Sequence, residues 1–71
     1  MVGLMVKAKA DDMDYIGIVV DKNGGGGYAV TWMNGKYAGN TYWYNDHVVK
    51  DLVKDYNDWE REHDRQTGEK R

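Results

Sequence analysis

Three features of the sequence predict a mainly β fold: a small barrel of four to five antiparallel strands, followed by a C-terminal α-helix. Short runs within residues 1–49 alternate apolar and polar side chains, which is typical of half-buried strands. Glycine and aromatic residues are concentrated in the same part of the chain, whereas residues 50–71 carry six basic and seven acidic side chains. Apolar residues in this second part recur three or four positions apart, which is the spacing of one helix face.

The first two strands are predicted from their alternation. VGLMVKAK, residues 2–9, has apolar side chains at every second position, and its two lysines lie on the opposite face. YIGIVVD follows an acidic loop and puts Ile16, Ile18 and Val20 on one face. Gly17 lies inside this second run, where glycine often marks a β-bulge or a sharp bend.

The third and fourth strands are predicted around an Asn-Gly pair. YAVTWM, residues 28–33, precedes Asn34–Gly35, and NTYWY, residues 40–44, follows it. Asn-Gly favours a two-residue type I′ turn, because both central positions of that turn need a positive φ. The sequence therefore predicts a tight hairpin between these two strands.

This hairpin would divide the aromatic residues between the two faces of the sheet. With a two-residue turn, Trp32 shares its face with Trp43, and we do not expect a longer loop to change this parity. Both tryptophans are therefore expected in the core because of their large apolar area. Tyr42 and Tyr44 then point to the opposite face, together with Met33. Exposed tyrosines are typical of binding surfaces, so these three side chains are the first predicted partner-binding surface.

The C-terminal helix is predicted from one apolar stripe with charged residues around it. The stripe consists of Val49, Leu52, Tyr56, Trp59 and His63. The start of the helix remains open between two alternatives. The helix could begin near Asp46, or Leu52–Val53 could form a fifth strand with the helix after it. In the second case the barrel covers residues 1–53 of the single domain, and residues 54–71 form the amphipathic helix with a frayed tail.

Several like charges along this helix are four residues apart, which destabilises an isolated helix. We therefore expect the helix to need a docking partner, either its own barrel or another chain. The outer part of the stripe, at Tyr56 and Trp59, is the second predicted partner-binding surface.

The order of these motifs resembles a known family. VGLMVKAK, IGIVVD, YAVTWMNGK and YWYNDHVVKDL follow one another as in SH3-like barrels of the Tudor/KOW type, over residues 2–53. The layout is also similar to that of small uncharacterised SH3-like proteins of tailed bacteriophages. This resemblance implies a non-enzymatic binding module, and it suggests an accessory protein that acts in the cytoplasm of an infected bacterium.

Composition argues against several other classes. The chain has no cysteine and two histidines, so we expect neither disulfides nor a metal site, and no cofactor. No serine or cysteine nucleophile is present, and no catalytic constellation is predicted. No apolar run approaches the length of a membrane span, so no membrane association is expected.

The favoured partner is a protein, or a second copy of the chain. The alternative is a nucleic-acid-binding Tudor/KOW-type module in which Lys7, Lys9 and Lys36 border the aromatic residues, since single strands bind by base stacking beside basic groups. The net charge of −2 and the neighbouring aspartates do not favour this alternative.

Overall fold

The computed structural model of the chain has the expected mainly β architecture, with four antiparallel strands followed by one helix. The elements are β1 (Met5–Ala10), β2 (Met13–Lys22), β3 (Gly27–Trp32), a 3-10 turn (Gly35–Tyr37), β4 (Thr41–Asn45) and α1 (Asp46–Thr67). The structure describes the backbone of residues 1–67 and the side chains of residues 1–62. The expected fraying of the tail therefore falls mostly outside the described residues.

The four strands form one open sheet in the order β1-β2-β3-β4. Each strand pairs with the next one along the chain, so the sheet is a simple meander. Within residues 1–67, β1 and β4 do not pair with each other, and the sheet is not closed into a barrel. Both outer strands therefore keep a free edge unless another element covers it.

The core lies on one face of this sheet, which we call the inner face. Its members, which form one contiguous cluster, are Val6, Tyr15, Val19, Val30, Trp32 and Val49. Trp32 is only 5% exposed, as expected from its position beside Val30. Val49 comes from α1, so the helix supplies part of the core itself.

Of the two alternatives for Leu52–Val53, strand or helix, the structure shows the helix. The helix begins at Asp46, not at residue 54, and Leu52 and Val53 lie in its second turn, packed against the core. The helix contacts mainly β1 of its own chain. The first half of the predicted stripe therefore docks within the chain, and an exposed ion pair joins Lys54 and Asp58 in the next part of the helix.

The prediction that Trp43 lies in the core is wrong. Its side chain is 53% exposed, whereas Tyr44 packs against the core. A two-residue turn would pair Trp32 with Tyr37, but the register instead pairs Val30 with Tyr42. This register reverses the alternation of β4, so that Tyr42 and Tyr44 lie on the inner face and Trp43 on the outer face.

The local cause is the connection between β3 and β4. Residues 33–40 form an irregular loop that contains the 3-10 turn, not a type I′ turn. Asn34 has an extended backbone with φ of −146°, so that within the Asn-Gly pair only Gly35 has a positive φ, at 76°. The Asn34 side chain instead accepts a 2.8 Å hydrogen bond from the Ile16 N–H and donates a 3.0 Å bond to the Asp14 carbonyl.

Gly17 does not mark the β-bulge, which lies at Val20, between Val19 and Asp21. A Cβ at Gly17 would lie 2.9 Å from ring carbon Cε3 of Trp32 and 2.9 Å from Cγ1 of Val30. Close packing of β3 side chains over β2 therefore explains the glycine. Because Gly17 and Val19 are buried, the inner face of β2 is the face opposite to Ile16 and Ile18.

Candidate binding site

A cleft of about 380 Å³ opens on the inner face, beside the part of the core that α1 covers. We call it the aromatic cleft, and its walls are formed by Ala8, Ala10, Tyr15, Trp32, Tyr37, Tyr42 and Tyr44. Five of the seven residues are aromatic and none is charged. Its volume lies within the usual range of sites that hold a small molecule or a single large side chain.

All four strands contribute to the cleft, and the register explains how. Ala8 pairs with Tyr15 across β1 and β2, so both point to the inner face. Tyr42 reaches the same face because it pairs with Val30. The short side chains of Ala8 and Ala10 leave the space that larger residues on β1 would fill.

The aromatic rings form a continuous series of contacts around the cleft. Ring centroids are 6.4 Å apart for Tyr15 and Trp32, and 6.4 Å apart for Trp32 and Tyr44, both in an edge-to-face geometry. Tyr37 continues the series, at 5.6 Å from Tyr15 and 6.1 Å from Tyr42. Such contacts stabilise ring orientation beyond simple area burial, so the walls of the cleft are held in place before a ligand binds.

The polar atoms of three of these rings, those of Tyr15, Trp32 and Tyr44, already have partners. The Trp32 indole Nε1–H donates a 3.1 Å hydrogen bond to the Tyr44 hydroxyl oxygen. The Tyr15 hydroxyl donates to an Asp11 carboxylate oxygen at 3.5 Å. Among the described side chains, no buried nitrogen or oxygen atom lacks a hydrogen-bond partner. The cleft therefore presents mainly ring surface to a ligand.

Charged groups near the cleft are paired with one another. Lys36 forms an ion pair with Asp11 at 3.2 Å, and its Nζ lies 5.4 Å from the Tyr37 ring centroid. The hydrogen bond to Asp11 and its negative charge raise the pKa of Lys36, with smaller contributions from Tyr37 and Tyr15. Lys7 and Asp14 form a second ion pair at 3.3 Å. Two of the three lysines considered for nucleic-acid binding thus have carboxylate partners.

The structure separates the residues predicted for partner binding. Tyr42 and Tyr44 come together in the aromatic cleft, but Met33 does not line it and is half exposed beyond the end of β3. Tyr56 and Trp59 contact each other on α1, with ring centroids 5.7 Å apart. Neither belongs to the core cluster or to the cleft.

Three aromatic walls of the cleft are not predicted from the sequence, which indicates a core position for Trp32 and no site role for Tyr15 or Tyr37. Strand alternation places Tyr15 on the same face as Gly17 and Val19, which is the buried inner face of β2. This alternation is the signal that could have indicated an inward position for Tyr15. No comparable signal exists for Tyr37, because its position depends on the irregular loop before β4.

A second, shallower depression of about 350 Å³ lies beside Trp43, near the glycine-rich loop between β2 and β3. The side-chain carbonyl of Asn23 accepts hydrogen bonds from the N–H groups of Gly25 and Gly27, both at 2.9 Å. These bonds satisfy the loop locally. The glycine run is therefore a hairpin connection between β2 and β3.

No group of three or more histidine, aspartate or glutamate side chains is placed to hold a metal ion in the part of the chain that the structure describes. Within residues 1–67, no helix combines the length and the apolar character needed to cross a membrane. Comparisons with protein-family models, curated protein sequences and solved structures give no match for this chain.

Proposed function

We propose that the chain is a non-enzymatic protein-interaction module that holds an apolar side chain of a partner protein in the aromatic cleft. The observation that carries this proposal is the uncharged cleft with its five contacting rings. Rigid aromatic side chains contribute much contact area at a small entropic cost, and they dominate the energetics of many interfaces.

The chemistry of the walls supports an apolar ligand. The indole of Trp32 and the hydroxyl of Tyr15 already have hydrogen-bond partners. The nearest charges, on Lys36 and Asp11, neutralise each other at the rim. A charged ligand would lose hydration without gaining a counter-ion inside the cleft, whereas an aliphatic or aromatic side chain would gain apolar contacts.

The fold assignment and the biological setting belong to the same proposal. The meander of short strands and the motifs of residues 2–53 support an SH3-like relationship of the Tudor/KOW type. The similarity in layout to tailed-bacteriophage proteins supports an accessory role in the cytoplasm of an infected bacterium. Both rest on resemblance in layout, which is weaker support than the geometry of the cleft.

A peptide library tests the proposed ligand class. Extended peptides with a central aliphatic, aromatic, acidic or basic residue are titrated into isotope-labelled protein, and binding is followed by the amide signals of Ala8 and Ala10 and the indole signal of Trp32. We expect peptides with apolar central residues to shift these signals, and Tyr42→Ala to weaken binding about tenfold or more, since truncation of a hot-spot aromatic residue costs about 2 kcal/mol or more.

Met33→Ala is the matched control, because Met33 is an exposed apolar residue outside the cleft. Equal weakening by the two substitutions would contradict the cleft as the binding site. Binding of acidic or basic peptides alone would contradict an apolar ligand.

The nucleic-acid alternative is separated by its salt dependence. A fluorescent single-stranded oligothymidine is the probe, and phosphate binding should weaken steeply between 50 and 200 mM salt. We expect no binding at low salt, because Lys7 and Lys36 already contact carboxylates. Tight binding that falls with salt and is lost in Lys9→Ala would replace our proposal with the alternative.

A further inference from the structure

We propose that two copies of the chain associate by antiparallel pairing of their β4 edges, with Trp43 of each copy at the twofold axis. This interface adjoins the aromatic cleft, because β4 contributes Tyr42 and Tyr44 to the cleft walls, but it does not depend on what the cleft binds. The proposal rests on the hydrogen-bonding direction of β4, on its charge and on the symmetry of its sequence.

The backbone of β4 has an unpaired side. The Trp32 N–H donates to the Asn40 carbonyl at 3.0 Å, which fixes the alternation of the ladder between β3 and β4. In an antiparallel ladder, residues alternate between those that bond to the neighbouring strand and those that point away. Tyr42 and Tyr44 therefore bond to β3, and Trp43 directs its N–H and carbonyl to the open side.

Natural edge strands are commonly protected by charges, proline, bulges or a covering element. The strand Thr41–Asn45 has no charged residue and no proline, and its register with β3 is regular. The other edge strand, β1, carries Lys7 and Lys9, and α1 packs mainly against it and less against β4. β4 is thus the unprotected edge of the described sheet, and its central side chain, Trp43, is 53% exposed.

The sequence of β4 is nearly palindromic, which favours a second copy over an unrelated strand. In an antiparallel arrangement centred on Trp43, Thr41 faces Asn45 of the partner, Tyr42 faces Tyr44 of the partner, and Trp43 faces its own copy. Every pair is uncharged, so the pairing brings no like charges together. Aromatic pairs directly opposite each other stabilise antiparallel strands.

The pairing has a consequence for the aromatic cleft. Tyr42 and Tyr44 point to the inner face, so Tyr42 of one copy would lie beside Tyr44 of the other. The two clefts would then be neighbours across the twofold axis, and the dimer could bind two segments of one partner. Linked binding of this kind raises affinity without new contacts.

A single five-residue strand buries less area than standard stable interfaces, so we expect a weak dimer with a Kd between about 1 μM and 1 mM. Sedimentation analysis of the intact chain over this range should show a monomer–dimer equilibrium. Trp43→Lys should be monomeric, because it places two like charges opposite each other at the axis, and Val20→Lys should still dimerise. Val20 is the matched control, as an exposed apolar residue on β2 away from the edge.

The register is tested by disulfide formation, since the chain has no cysteine of its own. Residues 41 and 45 of opposing copies form a hydrogen-bonded pair with Cα atoms about 5.5 Å apart, within the range of disulfides. A mixture of Thr41→Cys and Asn45→Cys chains should therefore cross-link readily. Neither variant alone should cross-link. In the antiparallel pair, residue 41 of one copy and residue 41 of the other are four positions apart, about 13 Å along the strand.

A mixture of Thr41→Cys and Val20→Cys chains measures random collision, and thermal unfolding shows that each variant is folded. Three outcomes would each overturn the proposal. The chain could be a monomer at 1 mM, the dimer could be unaffected by Trp43→Lys, or residues 41 and 45 could cross-link no faster than the collision control. Binding of apolar peptides to the cleft of Trp43→Lys can be measured separately, so failure of the dimer and failure of the proposed function are distinguishable.

Discussion

Gly17 shows how a single residue determines the packing of the inner face. The Trp32 ring and Val30 lie so close above it that a Cβ would overlap with both. We expect Gly17→Ala to destabilise the fold by about 1–3 kcal/mol, which is the usual cost of overpacking a core. Urea unfolding monitored by tryptophan fluorescence measures the change in the free energy of unfolding.

Gly24→Ala is the control for this substitution, because nothing lies within 4 Å of a Cβ at Gly24 and its φ is not positive. We expect its stability to be close to that of the original chain. If Gly17→Ala is as stable as Gly24→Ala, then the close packing of Trp32 on β2 is wrong, and so is the position of one wall of the aromatic cleft.

At this scale the sequence predicted some side-chain positions and missed others for one physical reason. The faces of β3 follow from alternation within one strand, so the burial of Trp32 and Val30 could be predicted. The position of Trp43 depends on the register of β4 with β3, which the loop of residues 33–40 sets. An added or removed residue in such a loop reverses every side chain of the next strand.

At the scale of elements, α1 combines two different parts. Its first half contributes Val49, Leu52 and Val53 to the core or its margin. The ring pair of Tyr56 and Trp59 follows near the middle of the helix, outside the core cluster. The helical period predicted the shared face, but period alone does not reveal where along the helix the contact with the sheet ends.

The helix is expected to depend on this docking. A peptide of residues 48–66 should be largely unstructured in water, because its like-charged pairs at spacing four oppose the helix and short isolated helices are marginal. The ion pairs of Asp58 with Lys54 and Arg61 are exposed, so each contributes little. Circular dichroism at low temperature measures the helical content.

The intact chain, in which the same residues are helical, provides the reference for this measurement. Strong helicity of the free peptide, unchanged by dilution, would show that α1 is stable without the sheet. The core contacts of its first half would then not be needed to form it.

At the scale of the whole molecule, the open sheet and the helix depend on each other. Small domains bury a limited share of their surface, so the loss of one core element is costly. Alternation and helical period were enough to predict the mainly β class and the C-terminal helix. They could not predict that the sheet stays open or that the cleft forms beside the helix, because both depend on the curvature and spacing of distant strands.

The mutual dependence predicts that the sheet does not fold alone. A chain that ends after Asn45 lacks Val49, which is fully buried among Val6, Val19 and Val30. Its inner face would lose its apolar cover, and we expect a chain without cooperative thermal unfolding and with poorly dispersed amide signals. A chain that ends after Glu62 keeps the docked half of α1 and should unfold cooperatively, close to the full-length chain. If the chain ending at Asn45 also unfolds cooperatively, the strands are an autonomous unit, and α1 is an addition to the domain instead of part of its core.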